Sequence, residues 1–494
     1  MTGVSLSRRY EQLLARFGDR RSLLFEGQWH TSGDLFGRAA RAARGLAQLG
    51  VRPGDRVVVC MANCPEVGLA YQALWRVGAV PTPVLFLLTE EELAHVVRDS
   101  GAVAVITTPE FHSKVQAAAK GLQVIVVGGP GGVPWEALEK LDELPIVDRD
   151  TGDLGALLYT GGTTGRSKGV ALTHATLDAA GAAAAERSQS ESILLPLPLA
   201  HAYGLLVTVA GLHVTEPMTT YLMRWFDPAG WIALIEEHRI QTSTLVPSMI
   251  QMLLALPLEE HDLSCLERVS SGAAPLPVEV ALELERRVPS CTIREGYGCT
   301  ESSALVSSQP LGERRLGSVG QPVTGVTVRI ELADGTEAAT GEDGEICVGG
   351  ATVMQGYWNS SDDTAFALRG GVLHTGDVGH LDEDGWLYVV DRIKDLIIRG
   401  GFNVYPRDVE DALLAHPEVV GAAVVGKPDP KLGEEVVAFV QLGPGATVTT
   451  DELVAYGKER LGAYKYPREV RVIDAIPLTS VMKTDRKALR ATMA

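Results

Sequence analysis

Leu158-Tyr159-Thr160-Gly161-Gly162-Thr163-Thr164-Gly165-Arg166-Ser167-Lys168-Gly169 closes a short apolar run and opens a loop of small and hydroxylated residues. Small residues let backbone amides approach a polyphosphate closely, the threonine hydroxyls add donors, and Lys168 adds positive charge. The stretch is not a Walker loop. Ser167 precedes Lys168 where that motif has glycine, and Gly169 stands where it has the magnesium-binding hydroxyl. A strand running into such a loop points to an α/β protein that binds a phosphorylated ligand.

Upstream, Arg56 to Cys60, Val103 to Thr107 and Val124 to Val127 read as strands, and Glu66 to Val77 and Glu90 to Ser100 have helical spacing. That alternation predicts crossover units and a largely parallel sheet. Downstream, Ala156 to Thr160, Thr242 to Val246 and Ser290 to Arg294 predict a second α/β half of the same kind. Ser192 to Val214 has the length of a membrane span but contains Pro196, Pro198 and His201, so it reads as a buried strand followed by a helix. Ala179 to Ala185 reads as an alanine-rich helix. From Gly320 to Val390, Asp334-Gly335 and Asp384-Gly385 predict hairpins. Beyond Asp391-Arg392-Ile393-Lys394-Asp395 the pattern is a helix led by Pro406, two apolar runs at Val419 to Gly426 and Glu435 to Leu442, a further helix and a basic tail. The charged junction sets the expected boundary between residues 1–393 and 394–494.

The chain has 494 residues, too many for one ordinary core. Lys and Arg number 44 against 62 Asp and Glu, and the net charge of −18 disfavours nucleic acid and anionic membrane over most of the surface. Any anionic ligand must then be bound locally. Cys60, Cys64, Cys265, Cys291, Cys299 and Cys347 show neither zinc-ligand spacing nor the density of a disulfide scaffold, which fits a reducing cytoplasm. Met1 to Gly18 lacks the apolar core of a signal peptide.

Five more segments carry chemistry. Ser271-Gly272-Ala273-Ala274-Pro275 offers a close-approach backbone, and Gly296-Tyr297-Gly298-Cys299-Thr300-Glu301 offers an aromatic face, a hydroxyl and a carboxylate. Thr375-Gly376-Asp377 places a carboxylate suited to paired ribose hydroxyls. Arg399-Gly400-Gly401-Phe402-Asn403 follows the charged junction, and Pro477-Leu478-Thr479-Ser480-Val481-Met482-Lys483 lies near the end.

With these motifs in this order, the sequence resembles the adenylate-forming superfamily of acyl-CoA synthetases, aryl-CoA ligases, luciferases and peptide-synthetase adenylation domains, over roughly residues 20–490. The resemblance implies a large N-terminal domain of stacked α/β subdomains plus a β-barrel-like part, and a small mobile α+β C-terminal lid. It implies ATP, Mg²⁺ and coenzyme A as reaction partners of a small carboxylic acid, with an acyl carrier protein as an alternative acceptor. Thr160, Gly161, Gly162, Thr163, Thr164, Gly165 and Lys168 would form the phosphate loop. Gly272, Ala273, Ala274, Pro275, Glu295, Gly296, Tyr297 and Gly298 would form the adenine site. Thr300 would contact phosphate, Glu301 would hold Mg²⁺, and Asp377 would take the ribose with Arg392. Lys394 would be the hinge, Gly400 and Gly401 would line the thiol entry, and Lys483 would be the lysine of adenylation.

Alone, His201 reads as a satisfied buried histidine; the resemblance implies a place beside the acyl carboxylate. The acyl pocket is expected near His201, Tyr203, Gly204, Val246, Ser271 and Gly296, for a medium or long fatty acid or a bulky cyclic or aryl acid. Gly296, not an arginine, precedes Tyr297, which argues against a dicarboxylate such as malonate. Two positions depart from the family pattern: Gly161 where serine is common, and Met482 where glycine usually precedes the lysine. They bear on nucleotide affinity and on the reach of Lys483.

Overall fold

In the computed structural model, which describes residues 4–160, 167–479 and 483–493, the first crossover run is a five-stranded parallel sheet. Its spatial order is Val80–Pro83, Arg56–Cys60, Ala104–Thr107, Gln123–Val126 and Val133–Pro134. Every residue of Ala104–Thr107 is buried, as expected of a parallel strand covered on both faces. The expected helices form as Pro65–Val77 and Glu90–Ser100. The first is opened by Pro65 and closed by Gly78 at φ 80°, and the second is opened by a Thr89–Glu92 capping box.

The second sheet has nine strands, six of which run parallel in the order Thr292–Tyr297, Arg268–Ser271, Thr242–Leu245, Ser192–Leu195, Thr219–Leu222 and Arg21–Phe25. The stretch from Ser192 is a strand followed by the short helix Ala202–Ala210. No helix among the described residues is long and apolar enough to cross a membrane. The alanine-rich segment is part of helix His174–Glu186.

One expected member is absent from this sheet. Residues 156–160 belong to Leu154–Thr160, which pairs antiparallel with Lys168–Thr173, which in turn pairs with Gly356–Tyr357 in a separate three-stranded sheet. The physical reason is the connection: a parallel neighbour needs a crossover of about a dozen residues or more, whereas Thr160 pairs antiparallel with Lys168, too close in sequence for one. This small sheet packs on the edge of the first one, where Leu157 and Ala171 share a cluster with Val80.

The hairpin-rich region is an antiparallel four-stranded sheet of Val326–Glu331, Gly344–Gly350, Leu373–Leu381 and Leu387–Arg392. Gly335 and Gly385 turn at φ 84° and 76°, as the Asp-Gly pairs predicted. The last hundred residues build a five-stranded sheet around Val419–Asp429 and Gly433–Leu442, with helices Pro406–Leu414, Thr450–Arg460 and Arg486–Ala491. Its core of Ile397, Val409, Leu413, Val424, Val436 and Leu453 draws only on this part of the chain.

Candidate active site

The antiparallel register sets Asp377 directly opposite Arg392, and Arg392 Nε donates to Asp377 Oδ1 at 2.7 Å. Tyr297 donates its hydroxyl to the other oxygen, Oδ2, at 2.6 Å. Asp377 is 4% exposed, and the facing carboxylate is the main reason the Arg392 pKa is raised. Burial, then Asp377, pushes the Tyr297 phenol up. The turn presenting Asp377 is held by Glu345, whose Oε1 accepts from Gly376 N at 3.0 Å and whose Oε2 lies 2.9 Å from His374 Nδ1. Each carboxylate oxygen has two acceptor sites, so Asp377 keeps capacity for further hydroxyls.

Thr300 and Glu301 lie on one 3₁₀ turn, Thr300–Ser302, directly after the strand that carries Tyr297. Glu301 Oε1 accepts from the Tyr357 hydroxyl at 2.9 Å, which leaves its second oxygen for a ligand. Carboxylate and hydroxyl oxygens are the donors that a Mg²⁺ ion takes, and Glu301 with Thr300 fits that requirement. Thr160 ends the strand before the phosphate loop, and Lys168 begins the return strand. Lys168 Nζ is 2.5 Å from Asp363 Oδ1 and stands over the Tyr357 ring. Gly161, Gly162, Thr163, Thr164 and Gly165 lie outside the described residues, as does Met482. Tyr357 and Asp363 were not singled out in the sequence; only the pairing of Gly356–Tyr357 with Val170 and Ala171 brings them here.

Next to these groups is a cavity of about 160 Å³ lined by His201, Tyr203, Ser271, Gly272, Ala273, Glu295, Gly296, Tyr297, Gly298, Thr300 and Lys483. Helix Ala202–Ala210 gives it Tyr203, Leu206, Val207 and Ala210, residues at helical spacing on one face. Gly204 is on another face: a Cβ there would stand 2.2 Å from Pro198 O, so its smallness serves helix packing and does not widen the pocket. Val246 also departs from expectation. It caps helix Pro247–Leu254 within a neighbouring core cluster, and Thr244 on the preceding strand lines the cavity instead. Ala274 and Pro275 follow the turn at Ala273, whose φ is 69°, and do not line the cavity. Burial raises the Glu295 carboxyl to about 7, against the lid residue Arg407, which pulls it down.

His201 caps its helix by accepting from Tyr203 N on Nδ1 at 3.3 Å, which leaves the proton of the neutral ring on Nε2. Burial, and then the charge of Lys483, lowers its pKa to about 4. Lys483 is thus inside the site. Its loop is tied by Thr479 N donating to Lys483 O at 2.7 Å, and burial followed by Arg392 lowers the ammonium pKa. Lys394 lies in the turn Ile393–Asp395 between the two cores, with its own pKa lowered by burial and by Arg392. Gly400 and Gly401, at φ 58° and 84°, form the exposed tip of the hairpin Ile397–Arg399 to Phe402–Val404 and do not line the cavity.

The model of the AMP-binding enzyme family matches residues 10–358, and that of the AMP-binding enzyme C-terminal domain matches residues 408–483. The feruloyl-CoA synthase of an Amycolatopsis species is 38% identical over 456 residues, 91% of each chain. The crystal structure of ATP-bound MatB from Rhodopseudomonas palustris superposes with a TM-score of 0.91 at 30% identity, covering 98% of both chains. The o-succinylbenzoate CoA synthetase of Bacillus subtilis, in complex with its acyl-adenylate intermediate, gives a TM-score of 0.85 at 30% identity, covering 98% of this chain and 97% of that one.

Proposed function

We propose, for a chain that belongs to the AMP-binding enzyme family, that the carboxylic acid it activates is a compact cyclic or aryl acid. The enzyme is an AMP-forming acyl-CoA synthetase: with ATP and Mg²⁺ it converts an acid to its acyl-adenylate, releasing pyrophosphate, and then transfers the acyl group to coenzyme A. The observation that carries the substrate class is the cavity of about 160 Å³ walled by Tyr203, Leu206, Val207 and Ala210 and ending at His201 and Lys483. A cavity of similar size, about 150 Å³, holds a benzene ring. The feruloyl-CoA synthase relative, whose name gives an aryl acid, supports the same class.

In this reading Asp377 accepts the ribose hydroxyls, Tyr297 and the backbone at Gly272 and Ala273 flank the adenine, and Thr300 and Lys168 meet phosphate oxygens. Glu301 and Thr300 would hold Mg²⁺, which as a Lewis acid stabilises negative charge on phosphate oxygens. The acid's carboxylate attacks the α-phosphorus, and charge builds on the oxygens around it. Lys483 supplies the neutralising ammonium, help worth about 10²–10³ in rate for a single donor. Burial and Arg392 depress its pKa, while Asp377 and Cys299 partly restore the charged form. His201, neutral, donates from Nε2 toward the acyl carboxylate.

Residues 1–393 bind nucleotide and acid, and residues 394–494 act as the lid. With Lys483 inside and Gly400 and Gly401 outside the cavity, this arrangement suits adenylation; rotation about Lys394 would withdraw the lysine and bring the glycines to the thiol entry. The six free cysteines support a cytoplasmic setting.

The test is pyrophosphate release over a panel of aryl, cyclic and long-chain fatty acids, followed by addition of CoA or a phosphopantetheine-loaded carrier protein. Compact aryl or cyclic acids should exceed long-chain acids by at least about tenfold in kcat/KM, with CoA as the acceptor. A preference for long-chain acids would remove the substrate class, and transfer only to the carrier would remove CoA.

A further inference from the structure

We propose that the end of the cavity remote from Lys483 is a carboxylate-binding subsite, and hence that the acid activated carries a second carboxylate. The proposal rests on the adenylation reading above and names the class of acid within it.

Three neighbouring parallel strands set Thr244 opposite Ser270, and Ser270 opposite Arg294. Residues in register share a face, and all three line the cavity. Arg187 lines it as well. Among the described residues, neither Arg187 nor Arg294 lies within ion-pair distance of an Asp or Glu. Arg294 spends one N–H on Pro310 O at 2.5 Å, and the carboxylate of nearby Glu285 is engaged by Arg314. Arg268, two residues before Ser270 on the same face, is 9% exposed; it donates to Gln189 O at 3.1 Å, beside Ser188 and Arg187, and its buried Nε has no partner. The charge that acts on it most strongly is Arg294, another cation, ahead of the carboxylate of Glu267. Thr244 is 4% exposed, and its hydroxyl is also without a partner.

Two guanidinium groups, Arg187 and Arg294, and an unpaired hydroxyl therefore line one cavity, with Arg268 on the same sheet face beside them, in a chain whose net charge is −18. Buried positive charge without a counter-ion is costly, and a guanidinium fork matches a carboxylate in two parallel hydrogen bonds. Gly296, next to Tyr297, is not an arginine, but strand alternation places Arg294 on the same face as Gly296, so the sequence argument against a dicarboxylate such as malonate does not extend to a longer one.

The experiment compares cinnamate, 4-hydroxycinnamate and 4-carboxycinnamate by pyrophosphate release, with calorimetric titration of each acid into the intact protein. The diacid should exceed both others by about tenfold or more in kcat/KM. Arg294→Gln should lower the diacid-to-monoacid ratio about 10- to 100-fold, the scale of a charge-assisted hydrogen bond, and Arg294→Lys should restore part of it. Should Arg294→Gln not fold, Arg187→Gln and Thr244→Val give the same ratio test from the other walls. Equal activity of wild type toward all three acids, or a ratio unmoved by these variants, would overturn the subsite. If no acid released pyrophosphate, the adenylation reading would fail, and titration would still decide the subsite: diacid binding weakened by Arg294→Gln supports it, and unchanged binding refutes it.

Discussion

His201 is held neutral in the cavity, where burial and the Lys483 charge depress its pKa to about 4 from 6.5. Between those values the unfolded chain binds a proton that the folded chain refuses, so stability falls as the pH drops from about 6.5 to about 4 and is fully present above that window. At about 1.4 kcal/mol per pKa unit, the contribution is on the order of 3 kcal/mol. Thermal melts of wild type and His201→Gln at pH 7 and pH 4 should show wild type losing ground to the variant at pH 4; a constant gap would mean the ring titrates normally. Asp377 gives a second prediction. Asp377→Ala should weaken ATP binding about 10-fold or more while sparing the acid, since in the proposed site Asp377, held by Tyr297 and Arg392, meets the ribose and not the acid; calorimetry with each ligand would show it. Asp377 stood out in the sequence by its Thr-Gly-Asp motif, and His201 only through the family resemblance. Tyr297 and Arg392 lay in motifs too, but the Tyr297–Asp377 contact was not legible, because that hydrogen bond joins residues 80 positions apart and no local pattern encodes it.

At the scale of the element, helix Ala202–Ala210 separates two roles that adjacent residues had in the sequence reading. Tyr203 faces the cavity and Gly204 faces the backbone of Pro198 and Leu199. Tyr203→Ala should change the profile of accepted acids with little change in melting temperature. Gly204→Ala should do the reverse, costing about 1–3 kcal/mol as an overpacked core position does and leaving the order of preferred acids as it was. Acid profiles and thermal unfolding of the two variants check this, and an altered profile in Gly204→Ala would put that residue back in the pocket. The helix itself was legible, since Pro196, Pro198 and His201 rule out a span and the apolar run beyond them needs burial. Which side of it meets the substrate was not, because every residue on it is small or apolar.

For the whole molecule, the proposed mechanism divides the two half-reactions along the lid. Lys483→Ala should lower adenylate formation by about 10²–10³ and retain much of the conversion of synthetic acyl-adenylate and CoA to thioester. Lys394→Pro, by fixing φ at the proposed hinge, should keep adenylation and lose thioester formation. Each variant is assayed in both steps with one acid, and equal loss of both steps in both variants would sink the rotating lid. The sequence by itself determined the reaction chemistry, through the motifs that carry the family resemblance, and the parallel sheets and separate C-terminal core, through apolar periodicities that act over a few neighbouring residues. Only the tertiary structure decided that Leu154–Thr160 leaves the second sheet for a hairpin, that Tyr357 and Asp363 reach Glu301 and Lys168, and that Arg187 and Arg294 line the same cavity. Those outcomes depend on which strands pair across long stretches of chain, and strand pairing is settled by the packing of the whole core, not by the residues on either side of any one position.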